Sequence, residues 1–422
     1  MGRRSPGGEL AKVLSLPQSL RPSAAGLAPA GFTLTEAAGG TAVAAAGELR
    51  VDIFRSIEEI DASRWDELVG PRAVIRSHAY LRAIETAGVN DCRYFYPVVT
   101  DATGRMLGHC CVYTITTDLA QILPAVLAPL ARLIRKRWPG FLQVKITECA
   151  SPHVIGHGFS LREGVPQAPV LQALETAIAR IARGEGSPLV VIRDFRADEL
   201  AHFSVLATQG YQQVSSLPQA RIRVRWRTYE EYLAAMRSRY RKDLRRRLRR
   251  AATQGQHIRV SSSFGELSTH CVAQVRLAYE RSRGIKREVL GPAYYRNLDA
   301  ALGERSLLLL AERDKRLMGH GMVLVDEAHL VATSFGREAG PAGDVWFQLL
   351  DAAVRMGIER QSEYINLGLG SYEAKSLMGA ELEPLYCWCR SRHALLNALM
   401  KLVPRAMEPT LPRVHRVFRN AE

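Results

Sequence analysis

The 422-residue sequence predicts a mixed α/β (α+β) protein made of two similar halves. Each half is expected to be a mixed central sheet flanked by helices, with a long basic helix joining the two. Three observations carry this expectation. The order hairpin, helix, strand, helix end, Gly, strand occurs twice, at an offset of roughly 170 residues, which is a domain duplication and not a short-period repeat. A long stretch free of Gly and Pro lies between the two copies. Hydrophobic content of 47% and charged content of 23% are ordinary for a globular protein, and the length suits about two to three domains.

Residues 1–47 are rich in Ala, Gly and Pro, and Arg3-Arg4 leads into Ser-Pro-Gly-Gly and not into an apolar run. They are expected to be a disordered tail and not a signal peptide. The first domain is drawn at 48–226. In it, "YFYPVVTD" (94–101), a turn at Thr103-Gly104 and "MLGHCCVYTIT" (106–116) read as a β-hairpin. "LAQILPAVLAPLARLI" (119–134) is too short to span a bilayer and is interrupted by Pro124 and Pro129. With the basic "RKRW" (135–138) after it, it reads as an amphipathic helix packed on its own domain, with peripheral contact to a membrane surface as the alternative. "APVLQALETAIARIARG" (168–184) has helical spacing and "PLVVIRDF" (188–195) follows as a strand. "LATQGYQQVSSLPQARIRVRW" (206–226) closes the half.

The linker is drawn at 227–256. "TYEEYLAAMRSRYRKDLRRRLRRAATQG" (228–255) reads as one helix capped by Gly255. Tyr232, Leu233, Met236, Tyr240, Leu244, Leu248 and Ala251 or Ala252 recur every three or four positions as an apolar seam, so one side packs on protein. Nine Lys or Arg stand against Asp243 alone between Arg237 and Arg250, which is more than half of the +15 net charge. Such charge favours an anionic partner.

The second domain, drawn at 257–395, repeats the pattern. "SLLLLAERD" (306–314) and "LMGHGMVLVDEAHLVATSFG" (317–336) form the hairpin, with "HLVATSFG" at its end read as a strand leading to the next turn, and "VWFQLLDAAVRMGIERQ" (345–361) the helix. "YINLGLG" (364–370) is the strand after it, and "SLMGAELEPLYCWCRSR" (376–392) closes the half. Residues 396–422 make a basic tail. His109 and His320 hold equivalent places in the two halves and read as strand histidines. Seven cysteines without a Cys-x-x-Cys pair indicate a reducing, cytoplasmic setting. Cys387-Trp388-Cys389 with His393 reads as alternating strand residues, since the spacing fits no common zinc pattern.

Three segments together resemble the tandem GNAT-fold proteins, that is, the FemAB-like peptidoglycan biosynthesis/recognition proteins and related GNAT N-acetyltransferases. They are "SIEEIDASRWDELVG" with "SHAYLRAIETAGV" (56–70, 77–89), the basic helix "SRYRKDLRRRLRRAATQG" (238–255), and "YINLGLGSYEAKSLMGAELEP" (364–384). The resemblance spans about residues 50–395. It implies two tandem GNAT-like acyltransferase domains with substrate in the groove between them. Its implied donor is an acyl-CoA or, in the Fem branch, an aminoacyl-tRNA. The implied acceptor is an amine on a cell-envelope precursor, a polysaccharide or a small metabolite. Arg241 and Arg245 match the two arginines of the family helix and are expected on phosphates, for which arginine forks are suited.

"REAGPA" (337–342) fits the pyrophosphate turn that the GNAT resemblance implies, with Arg337, Gly340, Ala342 and Gly343 against the CoA, although Pro341 removes one N–H. The resemblance also implies that Lys375, after the turn Gly368-Leu369-Gly370-Ser371, steadies negative charge on an acyl carbonyl or phosphate. Gly368 and Gly370 would shape the substrate site. Tyr372 as proton donor and Glu373 as base complete the candidate set. The expected location is cytoplasmic, with peripheral contact at the inner face of the membrane through 119–134. A contrasting reading is a non-enzymatic nucleic-acid or anionic-surface binder using the Arg-rich helix; it lacks interleaved aromatics free to stack. A duplicated fold that has lost activity is a third.

Overall fold

A computed structural model describes residues 42–44, 49–122, 128–281, 287–338, 344–393, 397 and 414–419. The first half runs β1 (Ala42–Ala44), β2 (Leu49–Phe54), α1 (Ala62–Val69), α2 (His78–Ala87), β3 (Arg93–Thr100), β4 (Met106–Cys110), β5 (Val112–Asp118), α3 (Ala128–Arg137), β6 (Gln143–Cys149), β7 (Phe159–Leu161), α4 (Gln167–Gly184), β8 (Leu189–Arg196), α5 (Val205–Thr208) and β9 (Gln212–Arg223). Next come α6 (Tyr229–Ala235) and α7 (Ser238–Thr253). The second half runs β10 (His257–Ser261), α8 (Ser268–Arg281), α9 (Pro292–Leu302), β11 (Ser306–Arg313), β12 (Arg316–Val325), β13 (His329–Arg337), α10 (Val345–Glu359), β14 (Tyr364–Gly368), α11 (Tyr372–Leu377) and β15 (Glu381–Ser391).

Both halves contribute to one continuous mixed sheet, in the order β1-β2-β3-β5-β6-β8-β15-β9-β14-β13-β12-β11-β10, with β4 and β7 branching from β3. The closing strands are exchanged. β15, from the second half, is antiparallel to β8, while β9, from the first half, is antiparallel to β14. β9 and β15 also pair with each other from Glu381↔Arg221 to Cys389↔Gln212. Hydrogen bonds thus cross the boundaries drawn from sequence at 226 and 257. The halves also share a core, in which Trp65, Tyr80 and Tyr113 of the first join Tyr294, Tyr295 and Leu308 of the second.

Three local expectations are corrected. The return strand over 106–116 breaks at Cys111, whose N–H donates to Gly158 O (3.1 Å), so β4 turns toward β7 while β5 stays with β3 and β6. Gly158 is needed there, since a Cβ would lie 2.8 Å from Cys111 O. The stretch 317–336 holds two strands, β12 and β13, with "HLVATSFG" a strand of its own as expected, because Asp326 Oδ1 accepts the N–H groups of Ala328 (2.8 Å) and His329 (2.7 Å) and makes a turn. Within the tail over 1–47, Ala42–Ala44 forms a strand on β2; the remainder lies outside the described residues. The linker is two helices, not one: Met236 and Arg237 are extended, with ψ 144° and 140°.

The break has a cause at the C-terminus. Arg237 N–H donates to Val417 O (2.8 Å), Arg419 N–H donates to Ala235 O (3.1 Å), and Phe418 bridges Met236. Backbone groups that a continuous helix would pair internally find partners in this segment instead. Gly255 closes α7 as expected: it has φ +71°, and Gln256 N–H donates back to Ala251 O (3.0 Å) in a Schellman turn. Phe418 packs against Trp226 (ring centroids 4.7 Å) and fills the space in front of Gly379. Phe418→Ala is therefore expected to cost about 2 kcal/mol by emptying that space, whereas exposed Val414→Ser stays near zero, as urea denaturation will read.

Candidate active site

Strands β13 and β14 are parallel over three residue pairs, from His329↔Tyr364 to Val331↔Asn366. They then part. β13 continues to Arg337, while β14 ends at Gly368 (φ +75°) and the chain turns through Gly370 (φ +68°) and Ser371 (φ 47°) into α11. These positive φ values are why glycines stand at 368 and 370. The fork opens into a cleft of ≈ 930 Å³. Ala332, Thr333, Phe335, Gly336 and Arg337 line it from β13, Trp346 and Phe347 from α10, and Leu367 through Lys375 from the turn and α11. Aromatic walls with a few polar groups are usual for a small-molecule site.

The first half has the equivalent fork, where β6 and β8 are parallel from Ile146↔Leu189 to Cys149↔Ile192. There the chain's own loop fills the gap. Gly156 N–H donates to Asp194 Oδ2 (3.2 Å), and the His157 ring stacks on Phe195 at 5.4 Å. Of the two forks, the second is the open one.

Lys375 lies at the cleft with 3% of its surface exposed, and its Nζ donates to Leu369 O (2.7 Å). No carboxylate pairs with it among the described residues, and burial lowers its pKa from 10.5 to about 7. Near neutrality its ammonium and amine forms are both populated. An anion placed beside Nζ would favour the ammonium, so ligand binding at pH 8 is expected to take up close to one proton. Calorimetry in buffers of different ionisation heat measures that uptake.

The other expected site residues divide. Gly368, Gly370, Arg337, Tyr372 and Glu373 all border the cleft with Lys375. Tyr372, however, donates its hydroxyl proton to Pro218 O (2.7 Å), and burial raises its pKa, so it ties α11 to β9 and is not poised as an acid. Glu373 is exposed in the first turn of α11, where a carboxylate suits the helix dipole. Gly340, Ala342 and Gly343 lie outside the described residues.

Arg241 lies at the junction of α6 and α7. Its Nη1 lies 3.2 Å from each of the carbonyls of Leu233, Ala234 and Met236 at the end of α6, of which Leu233 O also accepts the N–H of Met236 (3.2 Å). Arg245 is exposed on α7 and does not line the cleft. Three of the nine cations between Arg237 and Arg250 are in ion pairs. Asp243 pairs with Arg247 (2.8 Å) and Arg246, and the carboxylate of Asp344, just before α10, pairs with Arg250 (2.5 Å).

His109 and His320 are buried strand residues. The His109 Nε2 meets Trp65 O (3.1 Å), and His320 sits between Tyr295 Oη (3.0 Å) and Gln274 Oε1 (2.8 Å). Burial lowers both to about 3. Cys387 and Cys389 alternate along β15.

A second cavity, of ≈ 340 Å³, lies between the halves and shares Ala332, Thr333, Gly368 and Leu369 with the cleft. Its polar lining includes His153, Arg193, Gln219, Arg287, Glu288 and Asn366, none of them singled out from sequence. Behind it, buried Glu148 accepts from Arg193 Nε (3.0 Å) and Tyr113 Oη (2.7 Å) and pairs with Arg287 Nη2 (2.7 Å). Burial pushes the Glu148 pKa up, but the two guanidiniums outweigh it and the net shift is downward. Glu288, beside His153 Nδ1 (3.3 Å), is held at about 2 in spite of its burial by His153, Arg193 and Arg287. His153 and Asp194 both have positive φ, 61° and 72°, an uncommon conformation that clusters at functional sites. The Oδ1 of Asn366 is buried and has no partner among the described residues. A signal existed: Arg193-Asp194 interrupts the apolar run of "PLVVIRDF" at the carboxyl end of a parallel strand, where α/β sheets place ligands.

Comparison with known proteins agrees with this architecture. The chain spans 30% of the length of the curated relatives it matches, "Putative 8-amino-7-oxononanoate synthase 2" of Mycobacterium tuberculosis strains CDC 1551 / Oshkosh and H37Rv, at 25% identity over 233 residues, or 55% of this chain. Among solved structures, FemX is similar with a TM-score of 0.55 at 11% identity, covering 81% of this chain and 98% of FemX. A tandem GNAT protein from the clavulanic acid biosynthesis pathway covers 82% of this chain and 98% of its own, with a TM-score of 0.48 at 12% identity. The fold is thus shared with FemX, a mixed sheet flanked by helices. A family model, FemAB-like, described as peptidoglycan biosynthesis/recognition, matches residues 146–368, and the chain belongs to that family.

Proposed function

We propose that the protein is an acyl- or aminoacyltransferase that acylates an amine of a cell-envelope precursor, with acyl-CoA as donor in the β13/β14 fork. The observation that carries this reading is the open fork with buried, carboxylate-free Lys375 at its wall. Amide formation joins the acceptor nitrogen to the acyl carbon, breaks the bond to the donor's sulfur or oxygen, and requires a proton to leave the nitrogen. Charge builds on the carbonyl oxygen as the bond forms. Lys375 in its ammonium form would stabilise that charge, which counts for more in a desolvated site than in water. The neighbouring cavity would take the acceptor, whose polar groups would meet Asn366, Arg193 and Glu288.

Aminoacyl-tRNA is the second donor, and one observation favours it. Lys242 and Arg245 project from α7 into solvent with no ion pair among the described residues, ready for a nucleic-acid backbone. Thermal shifts with acetyl-CoA, longer acyl-CoAs, free CoA and bulk tRNA separate the readings. Stabilisation by a CoA ester that is lost in Lys375→Ala supports the first. Silence toward every CoA with salt-sensitive tRNA binding supports the second, and silence toward all of them removes both.

A further inference from the structure

The connection between β5 and β6 carries α3, whose two sides differ sharply. Its inner side is anchored: Ala131 is buried, and Arg135 Nη1 pairs with Asp118 Oδ2 (2.9 Å) while its Nε donates to Phe141 O (3.0 Å). On the outer side, Leu130 is 53% and Leu133 62% exposed, and Trp138, just past the helix, is 62% exposed. At about 100° per residue, Leu130 and Leu133 lie side by side, with Arg132, Lys136 and Arg137 around them. These three cations are exposed and make no ion pair among the described residues. No Asp or Glu occurs from 119 to 147 to oppose them.

We infer that this face of α3 docks on an anionic lipid bilayer. Leu130, Leu133 and Trp138 enter the headgroup boundary, and Arg132, Lys136 and Arg137 meet the phosphates. A short helix with an apolar face, a cationic rim and a terminal Trp is suited to lying in the interface plane. Charge complementarity selects the occupant. A second copy would bring one cationic rim against another, and a nucleic acid would leave both leucines in water. The position suits the rest of the molecule. Asp118 pairs with Gln143 at the start of β6, whereas the inter-half cavity begins beyond Cys149 at its end, so a bilayer against α3 leaves the groove open. The inference does not depend on the transferase reading.

Flotation of the full chain with vesicles of phosphatidylcholine alone, or mixed with phosphatidylglycerol, tests it. The chain is expected to float with phosphatidylglycerol vesicles, less so as salt rises, and not with phosphatidylcholine. Arg132→Gln/Lys136→Gln/Arg137→Gln should lower partitioning about a hundredfold, taking each cation near the surface as worth about fivefold. Leu130→Ser/Leu133→Ser should lower it at least about tenfold with an unchanged thermal melt. A blue shift in Trp fluorescence on binding should vanish in Trp138→Phe. No flotation with phosphatidylglycerol at low salt overturns the inference, as does full flotation of both multiple variants. Loss of binding in Lys242→Gln/Arg245→Gln would move the contact to α7. Self-association abolished by Leu133→Glu, without lipid binding, would assign the face to a second copy.

Discussion

Lys375→Met is expected to lower the rate of acyl transfer by about a hundredfold or more while making the protein more stable. The two effects have one origin. Holding the ammonium in a buried site with a single carbonyl partner lowers its pKa from 10.5 to about 7, so the native state binds the proton more weakly than the unfolded chain does. Between pH 7 and 10.5 the unfolded state carries more protons, and wild-type stability rises with pH across that window. Below pH 7 the full penalty is present. The stabilisation by methionine should therefore be largest near pH 6, about 2–4 kcal/mol, and fade toward pH 10. Urea denaturation at several pH values, set beside single-turnover rates, measures both. A variant that keeps its activity, or that is destabilised at pH 6, would remove Lys375 from the mechanism.

Glu148→Ala should produce the largest loss of stability among single substitutions at the groove, about 3–5 kcal/mol. The reason is not the worth of its ion pairs but what remains: Arg193 and Arg287 would stay buried and lose their shared carboxylate. Replacing Tyr113 by Phe removes one hydrogen bond to the same carboxylate and should cost about 1 kcal/mol. The cluster also predicts acid lability. Glu148 and Glu288 are lowered on folding, so the stability they supply is present above pH 4.5 and lost as pH falls toward 2. Asp194, whose burial outweighs Arg193 and raises its pKa, works in the opposite sense and softens the decline. Chemical denaturation from pH 6 to 3 will show whether Glu148→Ala flattens the acid limb.

Several elements were legible in the sequence, because they rest on local periodicity. The apolar spacing of 168–184 and 345–361 yields α4 and α10, and the runs after them yield β8 and β14. Gly255 at the end of α7 and Gly368 and Gly370 in the turn before Lys375 are required by backbone conformation alone. Lys375 was legible as well, since a strand end, a Gly-rich turn and a lysine follow one another in the chain.

Other features depend on residues far apart in sequence. Helicity alone favours one linker, and it is the distant segment Val417–Arg419 that offers Ala235 and Arg237 other partners and breaks it. Arg241 has the chemistry for phosphate, yet the fold brings its Nη1 against the carbonyls at the end of α6. The exchange of β9 and β15 joins two copies into one sheet, and no local pattern distinguishes an exchanged strand from one paired at home. The cavity between the halves draws His153 and Arg193 from one half and Arg287 and Asn366 from the other. Periodicity and turn chemistry act over a few residues and are written into the chain; which buried charges face one another is set by loop closures and packing across hundreds, and so only the tertiary structure decides it.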